Sequence, residues 1–303
     1  FESLFPRFIL QVKKGKKEGI IDKDGKIWEG TDYINANLVM DHIATQQPDH
    51  TTGDFWRMVF EKNVKMIINL TDKCDYCETF NYSFVKVKKI KQENINKFII
   101  VREVVIEGIS DYDKYIIINS SLKSSIGSDS ECVLYDAQKL SKIVPPVLTT
   151  YVISFIEWPD HGIPDMETFK QFYKFVEKYE VKVGLLSNNK DLMQPIVVHC
   201  RGGIGRTGTY ILIKYMIDTC KNVKEVNDNI IDAVMEMRKN RPNAVQNQEQ
   251  FKFAYDVIID FLNNKEKHGD CDMNVSKKIK LSHSTNEIIN ENIDRFLLRR
   301  SMY

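Results

Sequence analysis

The stretch Pro195-Ile196-Val197-Val198-His199-Cys200-Arg201-Gly202-Gly203-Ile204-Gly205-Arg206-Thr207-Gly208 constrains this chain more than any other. Its opening apolar run has the pattern of a buried strand. A glycine-rich turn follows, and Tyr210, Ile211, Leu212, Ile213, Met216 and Ile217 then predict a buried helix. A cysteine therefore ends a strand, and an arginine opens a helix. Glycines allow the turn to aim its backbone N–H groups inward. Donors gathered at a helix N-terminus form an anion site, and the planar fork of Arg206 can hold two oxygens of the same anion. Only the charged form of a cysteine gains from such donors. Settings of this kind bring cysteines from about 8.5 down to roughly 3.5–7.5. The stretch predicts a sulfur nucleophile facing a bound phosphate.

The order His-Cys, five residues, Arg-Thr resembles the protein tyrosine phosphatase family, and further segments agree with it. Asp32-Tyr33-Ile34-Asn35-Ala36 is similar to a structural motif of that family. Ala44-Thr45-Gln46-Gln47-Pro48 resembles its Thr-Gln-Gly-Pro, with Gln47 in place of glycine, and Asp54-Phe55-Trp56 resembles one of its helices. Val147 to Ile156 reads as a strand that delivers Trp158-Pro159-Asp160-His161-Gly162, similar to the family's mobile acid loop. A carboxylic acid placed there protonates the departing phenoxide, which is worth about 10²–10⁴ in rate. Gln246-Asn247-Gln248-Glu249-Gln250 resembles its Gln-Thr-x-x-Gln segment, with Asn247 where threonine is usual. Gln246 and Gln250, four apart, share a helix face.

The resemblance covers roughly residues 32–261. It implies an α/β fold: a single domain whose twisted, mixed β-sheet is flanked by helices, with the phosphate-binding loop between a central strand and a helix. It implies hydrolysis of phosphotyrosine in proteins without a metal or other cofactor. By resemblance Cys200 is the nucleophile, Arg206 the phosphate ligand and Asp160 the general acid and base. Gln246 orients water, His199 supports the thiolate, and Thr207 donates a hydrogen bond to the sulfur. Arg201, Gly202, Gly203, Ile204, Gly205 and Gln250 contact substrate. The family's aromatic rim, which selects tyrosine, has no clear counterpart. Phe8, in Pro6-Arg7-Phe8, is either that wall or part of a core strand Arg7-Phe8-Ile9-Leu10, and the sequence leaves both open.

Residues 1–263 are expected to be the phosphatase domain and 264–303 a linker with a short amphipathic helix carrying Ile288, Ile289, Ile293, Phe296 and Leu297. Charge is balanced, 43 Lys and Arg against 42 Asp and Glu, which gives no field suited to nucleic acid. No apolar run approaches the ~20 residues needed to span a bilayer, and no secretory signal stands out. A required free thiol among six cysteines predicts a reducing, cytoplasmic setting. The chain begins at Phe1 rather than Met, so a native start upstream is expected. Oligomeric state and the individual substrate protein leave no mark in the sequence.

Three other readings remain. The first is an inactive phosphotyrosine-binding module. The second is a phosphoinositide phosphatase, favoured by the charge of Arg201 but given no second charge by Ile204. The third is a metal-holding scaffold at Cys74-x-x-Cys77, which lacks a second pair at zinc-site spacing.

Overall fold

The structure, a computed structural model, describes residues 9–11, 33–49, 51–81, 85–108, 147–185, 194–269 and 283–300. The strands are β1 Ile9–Gln11, β2 Tyr33–Val39, β3 His42–Gln46, β4 Met66–Asn69, β5 Phe80–Asn81, β6 Val85–Asn94, β7 Ile99–Gly108, β8 Val147–Phe155 and β9 Ile196–Cys200. The helices are α1 Thr52–Glu61, α2 Met166–Lys182, α3 Gly205–Thr219, α4 Val223–Asn240, α5 Gln248–Gly269 and α6 His283–Arg300.

The described strands form one mixed sheet in the order β1-β2-β3-β9-β4-β8-β7-β6-β5. At its centre β3, β9, β4 and β8 run parallel, and the flanking pairs are antiparallel. Both faces of the centre are covered, which explains why β4 and β9 are apolar without alternation and buried at every position. Successive side chains nevertheless go to opposite sides. Val197 and Ile67 pack with α1, whereas Val198, Ile68 and Cys200 pack with the helices that follow β8. Next to the edge strand β5, β6 alternates over its first residues, with Val85 and Val87 buried and Lys86 and Lys88 exposed.

The parallel centre positions the site. Cys200 is in register with Gln46, and His199 with Thr45 and Asn69, which in turn faces Ser154. Four strands therefore end at one edge, where open α/β sheets bind their ligands. The loop after β8 starts two strands from Cys200, roughly 10 Å away at the usual strand spacing.

The buried faces of α2 and α4 include Phe169, Phe172 and Tyr173 on α2 and Val226, Ile230 and Val234 on α4. The C-terminal region differs from expectation. α5 runs across the expected 263/264 boundary to Gly269, because Asn264-Lys265-Glu266-Lys267-His268 contains neither glycine nor proline to stop it. The expected short helix has 18 residues and docks on its own domain through Ile289, Asn292, Ile293 and Phe296.

Candidate active site

The loop from Cys200 to Arg206 is held from outside through its carbonyl oxygens. The Arg201 carbonyl accepts from Gln47 N–H at 3.1 Å, and that of Ile204 from Val245 and Gly208 N–H at 3.2 and 3.0 Å. Arg241 takes the two between them, with Nε donating to Gly203 O at 2.8 Å and a terminal nitrogen to Gly202 O at 3.1 Å. Its other terminal nitrogen donates to the side-chain oxygens of Asn35 and Asn37 at 2.9 and 2.6 Å. In a trans peptide the N–H points away from the preceding C=O. Fixing these carbonyls outward therefore turns the N–H groups of residues 202–205 toward the space above Cys200.

Two glycines permit this packing. Gly203 has φ of +67°, and a Cβ there would sit 2.2 Å from the Thr45 carbonyl oxygen. At Gly205 a Cβ would lie 2.9–3.1 Å from the side-chain amide atoms of Gln246 and Gln250. The missing side chain is what allows both glutamines against the loop. Gln250 is further fixed by accepting from Gln246 N–H at 3.0 Å.

Cys200 is buried at the floor, and Arg206 is buried beside it in the first turn of α3. The Arg206 guanidinium donates to the Trp158 carbonyl at 3.0 Å and to Asp160 Oδ1 at 2.7 Å. Arg201, fully on the rim, lies 3.6 Å from Asp160 Oδ2. Asp160 is thus drawn over the loop while its side chain stays 43 % exposed. Its own loop is anchored on one side by Trp158, which packs edge-on against Phe155, Phe169 and Phe253 and donates to Gly162 O at 3.1 Å. On the other side Asn247 Nδ2 donates to His161 O at 2.9 Å. The same Asn247 accepts from Gln250 N–H at 2.9 Å, so this departure from the expected threonine ties the acid loop to the start of α5.

Asp160, Cys200, Arg201, Gly202, Ile204, Gly205, Arg206, Gln246 and Gln250 line one cleft of about 290 Å³. Gly203 lies beneath it. His199 lies behind it, fully buried, where burial and the nearby Arg206 charge push its imidazole down to about 3. His199 is therefore uncharged near neutral pH. Thr207 is buried with its hydroxyl unpaired, so the expected hydrogen bond to Cys200 is not made in this structure. Phe8 lies outside the described residues. The segment next to it, β1, pairs antiparallel with β2.

Several supporting groups escaped the sequence reading. Tyr76 shares a 2.6 Å hydrogen bond with His199 Nε2 and packs edge-on against its ring. Trp56 holds the Tyr76 carbonyl at 2.8 Å. Arg241 is the other, and its only sequence signal is its place just ahead of Pro242. Cys74 and Cys77 are buried free thiols flanking Tyr76, with Cys77 pushed up by burial. Among the described residues no group of three or more His, Cys, Asp or Glu is placed to hold a metal ion.

The sequence model of the protein-tyrosine phosphatase family matches residues 21–260. This chain belongs to that family. Its relatives include tyrosine-protein phosphatase 2 of Dictyostelium discoideum, 31 % identical over 80 % of this chain and 59 % of that protein. Receptor-type tyrosine-protein phosphatase zeta of Homo sapiens is 29 % identical over 82 % of this chain and 10 % of its own length. Tyrosine-protein phosphatase non-receptor type 20 of Mus musculus is 27 % identical over 77 % of this chain and 49 % of its own. This chain thus spans between a tenth and about three fifths of the length of these relatives. Among the described residues no helix is long and apolar enough to cross a membrane.

Proposed function

We propose that the chain hydrolyses phosphotyrosine in proteins through a cysteinyl-phosphate. The observation that carries this reading is the convergence of Cys200, the inward N–H groups, Arg206, Asp160 and two glutamines on one cleft. In the first step the Cys200 thiolate attacks phosphorus, an S–P bond forms, and the bond to the tyrosine oxygen breaks. The loop N–H groups and the Arg206 fork hold the equatorial oxygens, where charge is concentrated. Asp160 gives its proton to the departing phenoxide. Bringing phosphate to Arg206 competes with the Arg206–Asp160 ion pair, so substrate itself frees the carboxyl for this role.

In the second step water, oriented by Gln246 and Gln250, attacks phosphorus. Asp160 takes its proton, the S–P bond breaks, and Cys200 leaves as thiolate. The unpaired Thr207 hydroxyl is a donor available to that sulfur after a small rotation. Relatives named as tyrosine phosphatases support this substrate class, and the balanced charge and the single charged rim residue of the loop, Arg201, give little for a polyanionic lipid. We place this activity in the cytoplasm, where Cys200 stays reduced. Turnover of a phosphotyrosine peptide, undiminished by a chelator, is the expected result. No turnover by folded protein would leave a binding module instead, and loss with chelator would point to a metal.

A further inference from the structure

The two glutamines are backed by a structure that does not touch substrate. The backbone just ahead of Gln246 is strained: Asn243 and Val245 have φ of +63° and +58°, and for a β-branched residue that is an outlier. Such a conformation persists only when its surroundings over-determine it. Here Arg238, buried on the last turn of α4, donates from Nε to Ala244 O at 3.0 Å and from a terminal nitrogen to Val245 O at 2.8 Å. Behind Gln250, the next residue is Phe251, also buried.

Both supports meet one side chain of the C-terminal helix. Phe296 of α6 stacks on Phe251 with ring centroids 4.6 Å apart and planes 16° apart. The Arg238 guanidinium carbon lies 4.7 Å from the same ring centre. Phe296 is 2 % exposed, and Ile289, Asn292 and Ile293 seat the helix beside it. An aromatic face attracts a guanidinium most where water is excluded, so the ring fixes the plane of the fork that holds residues 244 and 245.

We infer that Phe296 is a positioning residue for Gln246 and Gln250, acting through Arg238 and Phe251, so that the docking of α6 governs how selectively water attacks the cysteinyl-phosphate. This rests on the function proposed above. The step it acts on is the second: an oxygen–phosphorus bond forms, the S–P bond breaks, Cys200 leaves as thiolate and Asp160 takes the proton. Water yields inorganic phosphate. Methanol attacking in the same way yields methyl phosphate. Well-placed glutamines favour water, and loosened ones let the alcohol compete.

The experiment uses the full chain, an aryl phosphate and added methanol. Phe296→Leu keeps apolar volume and removes the π-face, whereas Phe296→Tyr keeps it. In the Leu variant the ratio of methyl phosphate to inorganic phosphate should rise by about two- to fivefold. The pre-steady-state burst of aryl alcohol, which reports the first step, should keep the parent rate, and the Tyr variant should match the parent in both. Should the Leu variant not fold, Arg238→Lys tests the same link, since it keeps charge but loses the two-pronged hold, and it should raise the ratio likewise. A parent ratio in a folded Leu or Lys variant, with only the melting temperature lowered, overturns the positioning role. No release of aryl alcohol and inorganic phosphate by the folded parent protein instead overturns the proposed function, and this inference with it.

Discussion

The phosphate loop and the acid loop face each other across one cleft but are built in opposite ways. The phosphate loop has its carbonyls tied down by backbone and by buried Arg241, and Gly203 and Gly205 fit with no space to spare. Asp160 is half exposed and held by two arginine side chains, one of them on the rim. The difference teaches which part must keep its shape and which must move. Donors for a developing charge work best when they need no rearrangement at the moment of reaction. In the mechanism proposed above Asp160 admits substrate, gives a proton and later takes one, and an acid with that task needs a loop that can open.

Removing the acid should have the largest effect on rate and the smallest on fold. Asp160→Ala is expected to lower kcat for phosphotyrosine peptides by about 10²–10⁴ and leave KM and melting temperature near the parent. Phosphotyrosine proteins should then stay bound without release, and the descending limb of the kcat–pH profile should vanish. A variant that loses binding along with kcat would give Asp160 a place in the cradle instead.

A change in the cradle should strike binding and chemistry together. Arg206→Lys keeps the charge but loses the parallel pair of hydrogen bonds, and kcat/KM is expected to fall by about 10²–10³, close to the loss in Arg206→Ala. Activity within a few-fold of the parent in the Lys variant would show that charge alone suffices. Behind the cradle, Arg241→Leu should cost both activity and stability, since it leaves the buried carbonyl of Gly203 without its donor. The expected loss is about 1–3 kcal/mol for that group, read by urea unfolding. An unchanged midpoint would mean that the loop holds itself.

The sheet beneath both loops carries a pH effect that is read in stability and not in rate. His199 at the catalytic end is lowered to about 3, and His42 at the start of β3 is lowered to about 4, first by burial and then by Lys214. The unfolded chain protonates both below their ordinary 6.5, and the folded chain does not. Stability is therefore full above pH 6.5 and falls as pH drops toward 4, by about 3 kcal/mol for His42 alone. Urea midpoints between pH 7 and pH 4 should show this fall, and His42→Gln should flatten it. An equal slope in that variant would remove His42 from the account.

What the sequence disclosed follows the same division. Cys200, Arg206 and the glycines are close in the chain, and their spacing states their geometry. Asp160 and the glutamines stand in short segments with a recognisable pattern. Arg238 and Arg241 were not legible, because basic residues in the last turn of a helix or just past it usually face water and complement its dipole. Only tertiary packing puts them against carbonyls of distant loops. Tyr76 reaches His199 across 123 positions of chain, and nothing local marks it. The end of α5 was misjudged because a polar run reads as linker even when each residue tolerates a helix.

The central claim is that Cys200 carries the phosphoryl group. Rapid acid quench of the protein with a phosphotyrosine peptide, followed by intact-mass and peptide analysis, tests it directly. The account predicts one phosphoryl group on Cys200 within the first turnover, more of it when water attack is slowed by Gln246→Ala, and none in folded Cys200→Ser, which should also lack turnover. Phosphate release by folded Cys200→Ser, or turnover by the parent with Cys200 never modified, would contradict it.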